Sequence, residues 1–400
     1  MFIYLCYAIP ASDAAHNIAV SNPGNRQSLL LIEIFKEVFK EELIVLTIPP
    51  RKASFKDRKK KRVLNGKDIL PNVMTKEIEY YNFPYLKYRS ISKSVYRELK
   101  SLLMKYENCT IMTVNSNSYI SKPLFKLKKK FNFKTSIYFS DMPFNLNKTR
   151  NIFSLIFNKI DNYYRNKYLY YYDSCIGSID RINEIYFKNK PVIRIEPALD
   201  FTKYKEYSNN SAPNKPYKIV YTGSLNDNYH IKEILNAFTL LPPYYELFIY
   251  GKGKYEKLAK KFSNKYTNIN FGGFLPFEEI AKIQCNSDIL LSLMNSKLKI
   301  SKYAVPSKVF DYLCTGVPII STNVESLIDE VKPYLTFVKT EKGADIADSI
   351  KMVLEDSEIY RKKKILSLEG REYVLHECSW EHQKKKIKHF LGEITCAKEN

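Results

Sequence analysis

The segment at residues 306–320 reads PSKVFDYLCTGVPII, and it decides the fold class of the second half of the chain. Pro306 is a residue type that opens helices, so a helix is predicted over Ser307–Cys314. Gly316 is placed to end that helix, and a short apolar strand is predicted at Pro318–Ser321. A helix that leads directly into a buried strand is the repeating unit of a parallel α/β sheet.

The same helix carries three polar residues on one edge. Ser307 and Lys308 lie in its first turn, and Asp311 follows one turn later. The free N–H groups of a first turn attract anions, and Lys308 adds a full positive charge. A carboxylate at the place of Asp311 can accept two hydrogen bonds from a ribose diol. An ordinary capped helix is the alternative interpretation of these residues.

Short apolar runs alternate with longer helical patterns along the rest of the chain. In the first half, strands are predicted at Phe2–Ile9, Leu43–Ile48, Thr110–Val114, Thr135–Phe139, Ser174–Gly177 and Val192–Ile195. In the second half, they are predicted at Lys218–Thr222, Glu246–Tyr250, Asn268–Phe271, Asp288–Leu293, Pro318–Ser321 and Leu335–Val338. Helices are predicted at Gln27–Phe39, Val95–Lys105, Ile152–Tyr170, Lys232–Leu241, Lys254–Phe262, Phe277–Cys285, Ser307–Cys314 and Ala344–Leu354. This alternation predicts doubly wound, Rossmann-like parallel sheets.

The chain has 400 residues, and this length predicts two domains, because a single core stops growing near roughly 250–300 residues. A Pro- and Asn-rich stretch at 201–217 is the predicted linker. The domains are therefore placed at 1–200 and 218–379, followed by a C-terminal amphipathic helix and tail at 380–400. Ligands of such sheets bind at the carboxyl ends of strands, so the site is expected in a cleft that the two domains face.

Composition narrows the class of protein. Lysine plus arginine exceeds aspartate plus glutamate by 64 to 42, a net charge of +22, which indicates an anionic partner unless biased coding alone explains it. Seven scattered cysteines without a CxxC pair indicate reduced thiols in a cytoplasmic protein. No stretch approaches the ~20 apolar residues of a membrane span, so membrane contact would be peripheral.

Sequence motifs of several common nucleotide- and metal-binding sites are absent from the chain. The chain has no P-loop, no Asp-x-Asp pair and no complete dinucleotide fingerprint. The five histidines show no metal-ligand spacing, so no metal and no cofactor are predicted. Nucleic-acid binding is the rival explanation of the positive charge. No RRM, KH or helix-turn-helix pattern supports it, so no nucleic-acid partner is predicted.

Together with the segment 306–320, the segments 219–225 (IVYTGSL) and 247–253 (LFIYGKG) resemble the GT-B glycosyltransferases of group 1, or family 4, type. The likeness covers residues 218–393 and, more loosely, the whole chain. It implies a GT-B architecture and a nucleotide-sugar donor held in the second domain. By position, it implies that Asp311 holds the ribose and that Ser307 and Lys308 face the diphosphate. The predicted donor-binding set is Gly223, Ser224, Gly251, Ser307, Lys308 and Asp311.

The chain departs from the family pattern at three places. The acidic residue that many members carry eight positions before the second one is Tyr303 here. Ser224 stands at the usual Arg, and Tyr229-His230 stands at the usual Lys-Gly. Lys308 is therefore predicted to carry more of the diphosphate charge, with help from a lysine at 299 or 302.

The first domain is expected to hold the acceptor. A polar loop at 21–27 opens a helix, and there Gly24 allows close approach while Arg26 offers a positive charge. Asp141 follows the strand Thr135–Phe139 and is predicted to act with Lys308 as a catalytic residue. A plain turn explains each of these features equally well.

Two basic runs lie in the same domain. Residues 51–63 hold eight Lys or Arg in thirteen positions and are read as a solvated loop. Residues 122–134 hold six lysines around an apolar stripe of Leu124, Leu127 and Phe131. That stripe favours a basic amphipathic helix at an anionic membrane surface, although a solvated helix packed on the core is as well supported.

The sequence therefore predicts a glycosyltransferase that moves a sugar from a nucleotide-sugar to a saccharide or lipid-linked acceptor. The expected setting is bacterial surface polysaccharide synthesis in the cytoplasm, with peripheral contact at the inner membrane face. The resemblance implies a metal-independent, retaining, hexosyltransferase-like enzyme. A catalytically inactive GT-B-like binding or scaffold subunit is the alternative, since the usual Arg, Lys and Glu are missing.

Overall fold

A computed structural model describes residues 1–14, 22–55, 60–61, 64, 66–84, 86–139, 152–177, 180–196, 204, 212–304 and 306–396. The chain divides into two compact units. The first comprises Met1–Ile195 together with Lys384–Asn400, and the second comprises Glu196–Gln383. Each unit is built on its own parallel sheet.

The first unit contains nine described strands. Their bounds are β1 Phe2–Cys6, β2 Leu43–Thr47, β3 Lys60–Lys61, β4 Met74–Glu77, β5 Tyr80–Tyr81, β6 Thr110–Val114, β7 Lys134–Phe139, β8 Ser174–Gly177 and β9 Val192–Arg194. Seven of them form a parallel sheet in the order β4-β2-β1-β6-β7-β8-β9, and β3 pairs with β5 in an antiparallel ribbon. The six predicted strands of this half are confirmed. Strand β4 was not predicted, because its sequence MTKE is polar and lies at the sheet edge.

Helices pack on this sheet through apolar faces. Their bounds are α1 Ala11–Ala14, α2 Asn22–Phe39, α3 Lys87–Lys105, α4 Ser118–Lys128, α5 Ile152–Leu169 and α6 Asp180–Tyr186. Helix α3 buries Ile91, Val95 and Leu99 at helical spacing, and its lysines and arginines from Arg89 onward are exposed. Burial of this kind is what stabilises helices of ordinary propensity in a globular domain.

The second unit has six described strands. They are β10 Tyr217–Thr222, β11 Tyr245–Tyr250, β12 Ile269–Gly273, β13 Ile289–Ser292, β14 Ile319–Ser321 and β15 Leu335–Phe337. All pairs are parallel and the order is β12-β11-β10-β13-β14-β15. The order of connection reverses between β10 and β13, which opens a crevice at the carboxyl ends of these strands. Every strand predicted for this half is confirmed, to within one or two residues at each end.

The remaining helices are α7 Ile231–Leu240, α8 Glu256–Lys265, α9 Phe277–Cys285, α10 Ser307–Leu313, α11 Gly343–Glu355, α12 Ser357–Glu377 and α13 Trp380–Cys396. One apolar cluster joins the inner faces of α7 and α11 to the sheet, and a second cluster joins α10 to its opposite face. Helix α12 was not predicted. Only four of its 21 residues are buried, so it lacks a clear apolar stripe.

The predicted C-terminal amphipathic helix is α13, and it buries Ile387, Leu391 and Ile394. Lys384 and Lys388 both contact the carboxylate of Glu37 on α2. The residues from 384 onward therefore belong to the first unit rather than standing apart from it. Among the described helices, none is long and apolar enough to cross a membrane.

Candidate active site

A cavity of about 530 Å³ opens at the carboxyl ends of β10 and β11 in the second unit. All six residues predicted to bind the donor line this cavity, namely Gly223, Ser224, Gly251, Ser307, Lys308 and Asp311. It is also lined by Tyr204, Thr222, Tyr229, Tyr250, Lys252, Phe274, Leu275, Ile280, Gln284 and Tyr312. It lies beside the reversal of strand order at β10, and in open α/β sheets ligands bind at such reversals.

Two glycine turns bring the main chain close together at the cavity wall. Gly223 follows β10 with φ +126°, and Gly251 follows β11 with φ +142°, a region that side chains rarely allow. A Cβ at Gly251 would lie 1.8 Å from the carbonyl oxygen of Gly223. A Cβ at Gly223 would lie 2.8 Å from both Cε and Nζ of Lys308. Both positions therefore require glycine, and the bare main chain at Gly223 makes room for the lysine.

The position of Lys308 is fixed by the core. Helix α10 begins at Ser307 and ends at Leu313, one residue before the predicted end. Val309, Phe310 and Leu313 are buried in the apolar cluster on that side of the sheet. Because this face is anchored, the opposite edge of the helix points into the cavity with Lys308 and Asp311.

The ammonium group of Lys308 lies between two aromatic rings. Its Nζ is 4.0 Å from the ring centroid of Tyr221 and 3.9 Å from that of Tyr229. It has no hydrogen-bond acceptor among the described residues, although the atom itself is buried. Burial lowers the pKa of Lys308 to about 7, and the nearby carboxylate of Asp311 opposes this shift. The rings stabilise the cation, but its hydrogen-bonding capacity is unused.

Asp311 is the only carboxylate among the described residues that line the cavity. Burial raises its pKa to about 7, and the positive charge of Lys308 opposes this shift. The donor set of the cavity contains no histidine and no cysteine, so it does not resemble a site for a transition metal. Its chemistry is that of one buried cation beside one buried acid.

A hydrogen-bonded network holds the floor of the cavity. The backbone N–H of Thr222 donates to the hydroxyl of Tyr312 at 2.9 Å, and Nε2 of Gln284 donates to Oγ1 of Thr222 at 2.8 Å. The other amide atom of Gln284, Oε1, is buried without a donor among the described residues. The network therefore ties β10 to α9 and α10 and orients the side chains beside the lysine.

Sequence reasoning missed the aromatic half of this site. Tyr229 was noted only as the residue that replaces a family cation, and Tyr221 as part of a strand. Lys252 was also not proposed, and its Nζ lies 4.3 Å from the ring centroid of Phe274 at the cavity edge. A helper role for Lys302 is weakened, since this lysine pairs with Glu325 at 3.1 Å.

The acceptor-side predictions lie in the first unit. Gly24 and Arg26 are exposed in the first turn of α2. Between them, Asn25 is buried and its amide exchanges two hydrogen bonds with the main chain of Ile9, at 2.9 and 3.1 Å. Asp141 lies outside the described residues.

For the basic run at 122–134, the structure favours the alternative to the membrane interpretation. Helix α4 ends at Lys128, and its Leu124 and Leu127 are fully buried in the core. The apolar stripe is therefore used for packing, which leaves only a solvated lysine face, the alternative that the sequence also allowed. In the other run, Arg51 donates to the hydroxyl and carbonyl oxygens of Tyr80, and residues 56–59, 62 and 63 lie outside the described part.

Solved structures of other proteins have the same fold as this chain. The chain superposes on a sucrose-phosphate synthase from Thermosynechococcus elongatus with a TM-score of 0.63 at 14% identity, covering 100% of both chains. For HepE of Anabaena, solved with UDP, the TM-score is 0.62 at 12% identity, over 98% of this chain and 99% of that one. For WaaG, a glycosyltransferase involved in lipopolysaccharide biosynthesis, it is 0.60 at 11% identity, over 98% and 100%. The fold is that of the GT-B glycosyltransferases.

The family follows from the sequence of the second unit. Residues 203–372 match the family model for glycosyl transferases group 1, so the resemblance stated from the sequence is confirmed. No curated protein matches the sequence. The matched segment includes every residue that lines the cavity.

Proposed function

We propose that the chain is a glycosyltransferase and that its nucleotide-sugar donor binds in the cavity around Lys308. The observation that carries this proposal is the buried ammonium group without a hydrogen-bond acceptor. An unpaired buried cation is costly, and an anionic ligand would offset that cost. A diphosphate fits this requirement, and the group 1 family match supports it.

In the proposed complex, the diphosphate contacts Lys308 and the main chain of Gly223. The carboxylate of Asp311 accepts hydrogen bonds from the ribose, and Ser307 supplies a hydroxyl at the open end of α10. The base lies toward Gly251 and the end of β11. Since HepE was solved with UDP, uridine diphosphate is the first nucleotide to test.

The chemical step breaks the bond between the anomeric carbon of the sugar and the diphosphate oxygen. The acceptor oxygen forms the new bond, and its proton leaves with the diphosphate. Negative charge grows on the departing diphosphate, and the ammonium of Lys308 stabilises it there. We propose no metal and no cofactor, and we propose retention of configuration from the family likeness. Asp141 remains the predicted acceptor-side catalytic residue.

The acceptor is proposed to be a saccharide, free or lipid-linked, in the synthesis of a bacterial surface polysaccharide. The structural likeness to WaaG supports this setting. A lipid-linked acceptor would lie at a membrane surface, so we propose that the protein acts there. For this chain, the lysine face of α4 lacks free apolar side chains, so another element must supply them.

Helix α5 offers such a surface. Leu155, Ile156, Ile160 and Tyr163 are exposed on one side of it, with Ile156 and Ile160 each 52% accessible. Lys159 is exposed between them. Apolar side chains interspersed with lysine are typical of helices that lie in the interface of an anionic bilayer. We propose this face of α5 as the peripheral membrane contact.

Vesicle sedimentation tests this contact. Ile156→Glu with Ile160→Glu should abolish binding to vesicles that contain anionic lipid, because both changes place negative charge on the face that is proposed to enter the bilayer. The comparison variant replaces Lys126 on α4, and Lys129 and Lys130 just after it, with Gln, and it should weaken binding by about 1 kcal/mol for each lysine near the surface. Equal binding by the α5 variant and the parent protein would contradict the assignment.

A thermal-shift panel of nucleoside diphosphates and their sugar conjugates tests the donor site. Stabilisation by one nucleotide, lost in Lys308→Ala, supports the proposal. Hydrolysis or transfer of the cognate sugar then separates an enzyme from the inactive scaffold alternative. A protein that binds its nucleotide but never breaks the sugar bond would be the scaffold.

A further inference from the structure

The junction between α12 and α13 brings together three side chains that can bind a metal. His376 and Glu377 end α12, and His382 lies in the first turn of α13. One nitrogen of each histidine and a carboxylate oxygen all lie within 4.8 Å of one another. No sequence pattern indicated this group, because the two histidines are six positions apart across a helix break.

The carboxylate of Glu377 contacts both imidazoles, at distances close to those between ligand atoms of a zinc site. Nδ1 of His376 lies 2.9 Å from Oε1 of Glu377, and Nε2 of His382 lies 3.4 Å from Oε2 of Glu377. Zinc binds nitrogen and oxygen at about 2.0–2.2 Å, so two ligand atoms of a tetrahedral site lie about 3.3–3.6 Å apart. The three donors lie within 4.8 Å of one another, so they must draw closer before they share one ion.

The turn that carries them is held by its own hydrogen bonds. Oγ of Ser379 donates to the carbonyl oxygen of His376 at 2.8 Å and accepts from the backbone N–H of His382 at 3.2 Å. The buried amide of Gln383 donates to the carbonyl oxygen of Glu377 and accepts from the backbone N–H of Glu196 at 3.0 Å. A site whose ligands are already positioned loses less entropy when the ion binds.

We propose that His376, Glu377 and His382 form a zinc site that clamps the last turn of α12 to the first turn of α13. Two imidazoles and one carboxylate suit Zn²⁺, whereas Mg²⁺ and Ca²⁺ prefer oxygen ligands alone. The side chain of His376 is 73% exposed, so water completes the coordination. This site is separate from the cavity around Lys308 and does not depend on the proposed donor.

Calorimetric titration of the tag-free full chain with ZnCl₂ tests the proposal, with MgCl₂ as the second probe. Zinc should bind with one-to-one stoichiometry and raise the melting temperature, and magnesium should do neither. The six cysteines whose side chains are described are all buried, so these six thiols do not compete for zinc in the folded protein. Absence of saturable zinc binding would leave the three residues as an ordinary hydrogen-bonded group and overturn the proposal.

The variants identify the ligands. His382→Ala should weaken zinc binding at least tenfold and remove the zinc-dependent rise in melting temperature. His389→Ala is the matched control, since His389 lies on the same helix, is exposed, and pairs instead with Glu393 at 3.3 Å. Metal-free melting temperatures of both variants should equal that of the parent protein, which separates lost binding from misfolding. Unchanged zinc affinity in a His376→Ala, His382→Ala double variant would contradict the site.

Discussion

The two units share a strand order but differ in how the crevice at its reversal is filled. In the first unit, most of the described polar groups near the end of β1 form hydrogen bonds with neighbouring groups, although the hydroxyl of Ser116 is buried without a partner among the described residues. The amide of Asn25 pairs with the main chain of Ile9, Oγ1 of Thr47 donates to the carbonyl oxygen of Ala8 at 2.5 Å, and Nδ2 of Asn117 donates to the hydroxyl of Tyr7 at 2.5 Å. In the second unit, the corresponding place holds the ammonium of Lys308, which has no acceptor among the described residues.

This difference indicates which crevice is built for a charged ligand. A network that satisfies its own donors and acceptors stabilises the fold without a ligand. A buried cation that lacks an acceptor stabilises nothing until an anion arrives. Fold alone does not separate the two crevices, and the residues that follow each strand do.

The largest expected effect comes from Lys308→Ala. Loss of one preorganised cation at the departing diphosphate should lower kcat about a hundred- to a thousand-fold, with a smaller rise in the KM for the donor. Lys308→Arg should restore little, because a guanidinium is larger than the space between Gly223 and the two tyrosine rings. Steady-state kinetics with the cognate donor measure this effect.

Stability supplies the control for that experiment. Lys308→Met keeps most of the side-chain volume and removes a buried charge, so it should unfold at the same or a higher urea concentration than the parent protein. A folded Met variant without activity supports a role in catalysis. Near-normal kcat in either the Ala or the Met variant would refute that role and direct attention to Lys252 at the cavity edge.

Asp311→Asn should have the second largest effect. A charge-assisted hydrogen bond to a ribose is worth roughly 1.5–3 kcal/mol, so affinity for the nucleoside diphosphate should fall about ten- to a hundred-fold. The deoxyribose form of the nucleotide is the matched probe. It should bind the parent protein more weakly than the ribonucleotide does, whereas the variant should bind the two forms with similar affinity. Unchanged affinity for the ribonucleotide would show that another group holds the sugar ring.

The sequence predicted the strands of the second unit well because all of them are short apolar runs between turn residues. The six residues that the family resemblance predicts to bind the donor all line one cavity. The polar edge strand β4 and the helix α12 were missed because neither carries a clear apolar pattern.

The rest of the site depends on contacts between distant segments. Tyr221 and Tyr229 lie far from Lys308 along the chain, and no local pattern places their rings on its ammonium group. Periodicity likewise found the apolar stripe of α4 but did not decide whether it faces the core or a membrane. Tertiary packing settles that question, and Leu124 and Leu127 face the core.

A pH series should show a more moderate effect on nucleotide binding. Burial lowers the pKa of free Lys308 to about 7, and a bound diphosphate would raise it. Above this pH, binding must take up a proton, so affinity should fall as the pH rises, by up to about tenfold per pH unit. Calorimetry between about pH 7 and 9 measures this slope. Lys308→Met should bind more weakly throughout and with a shallower profile, because Asp311, whose pKa burial also raises to about 7, still titrates in the cavity. An equal slope in that variant would assign the proton to another group.

The smallest effect on nucleotide affinity should come from the first unit. Asn25→Ala leaves the N–H and carbonyl oxygen of Ile9 without their side-chain partner, so the free energy of unfolding should fall by about 1–3 kcal/mol. Affinity for the nucleoside diphosphate should not change. Arg26→Ala is the comparison variant one position along, and with it the KM for an anionic acceptor should rise if the acceptor prediction is right. Urea denaturation measures the change in stability, and calorimetry measures the affinity for the nucleotide. If Asn25→Ala weakened nucleotide binding as strongly as Asp311→Asn, the contrast between a self-satisfied crevice and a ligand-binding crevice would be wrong.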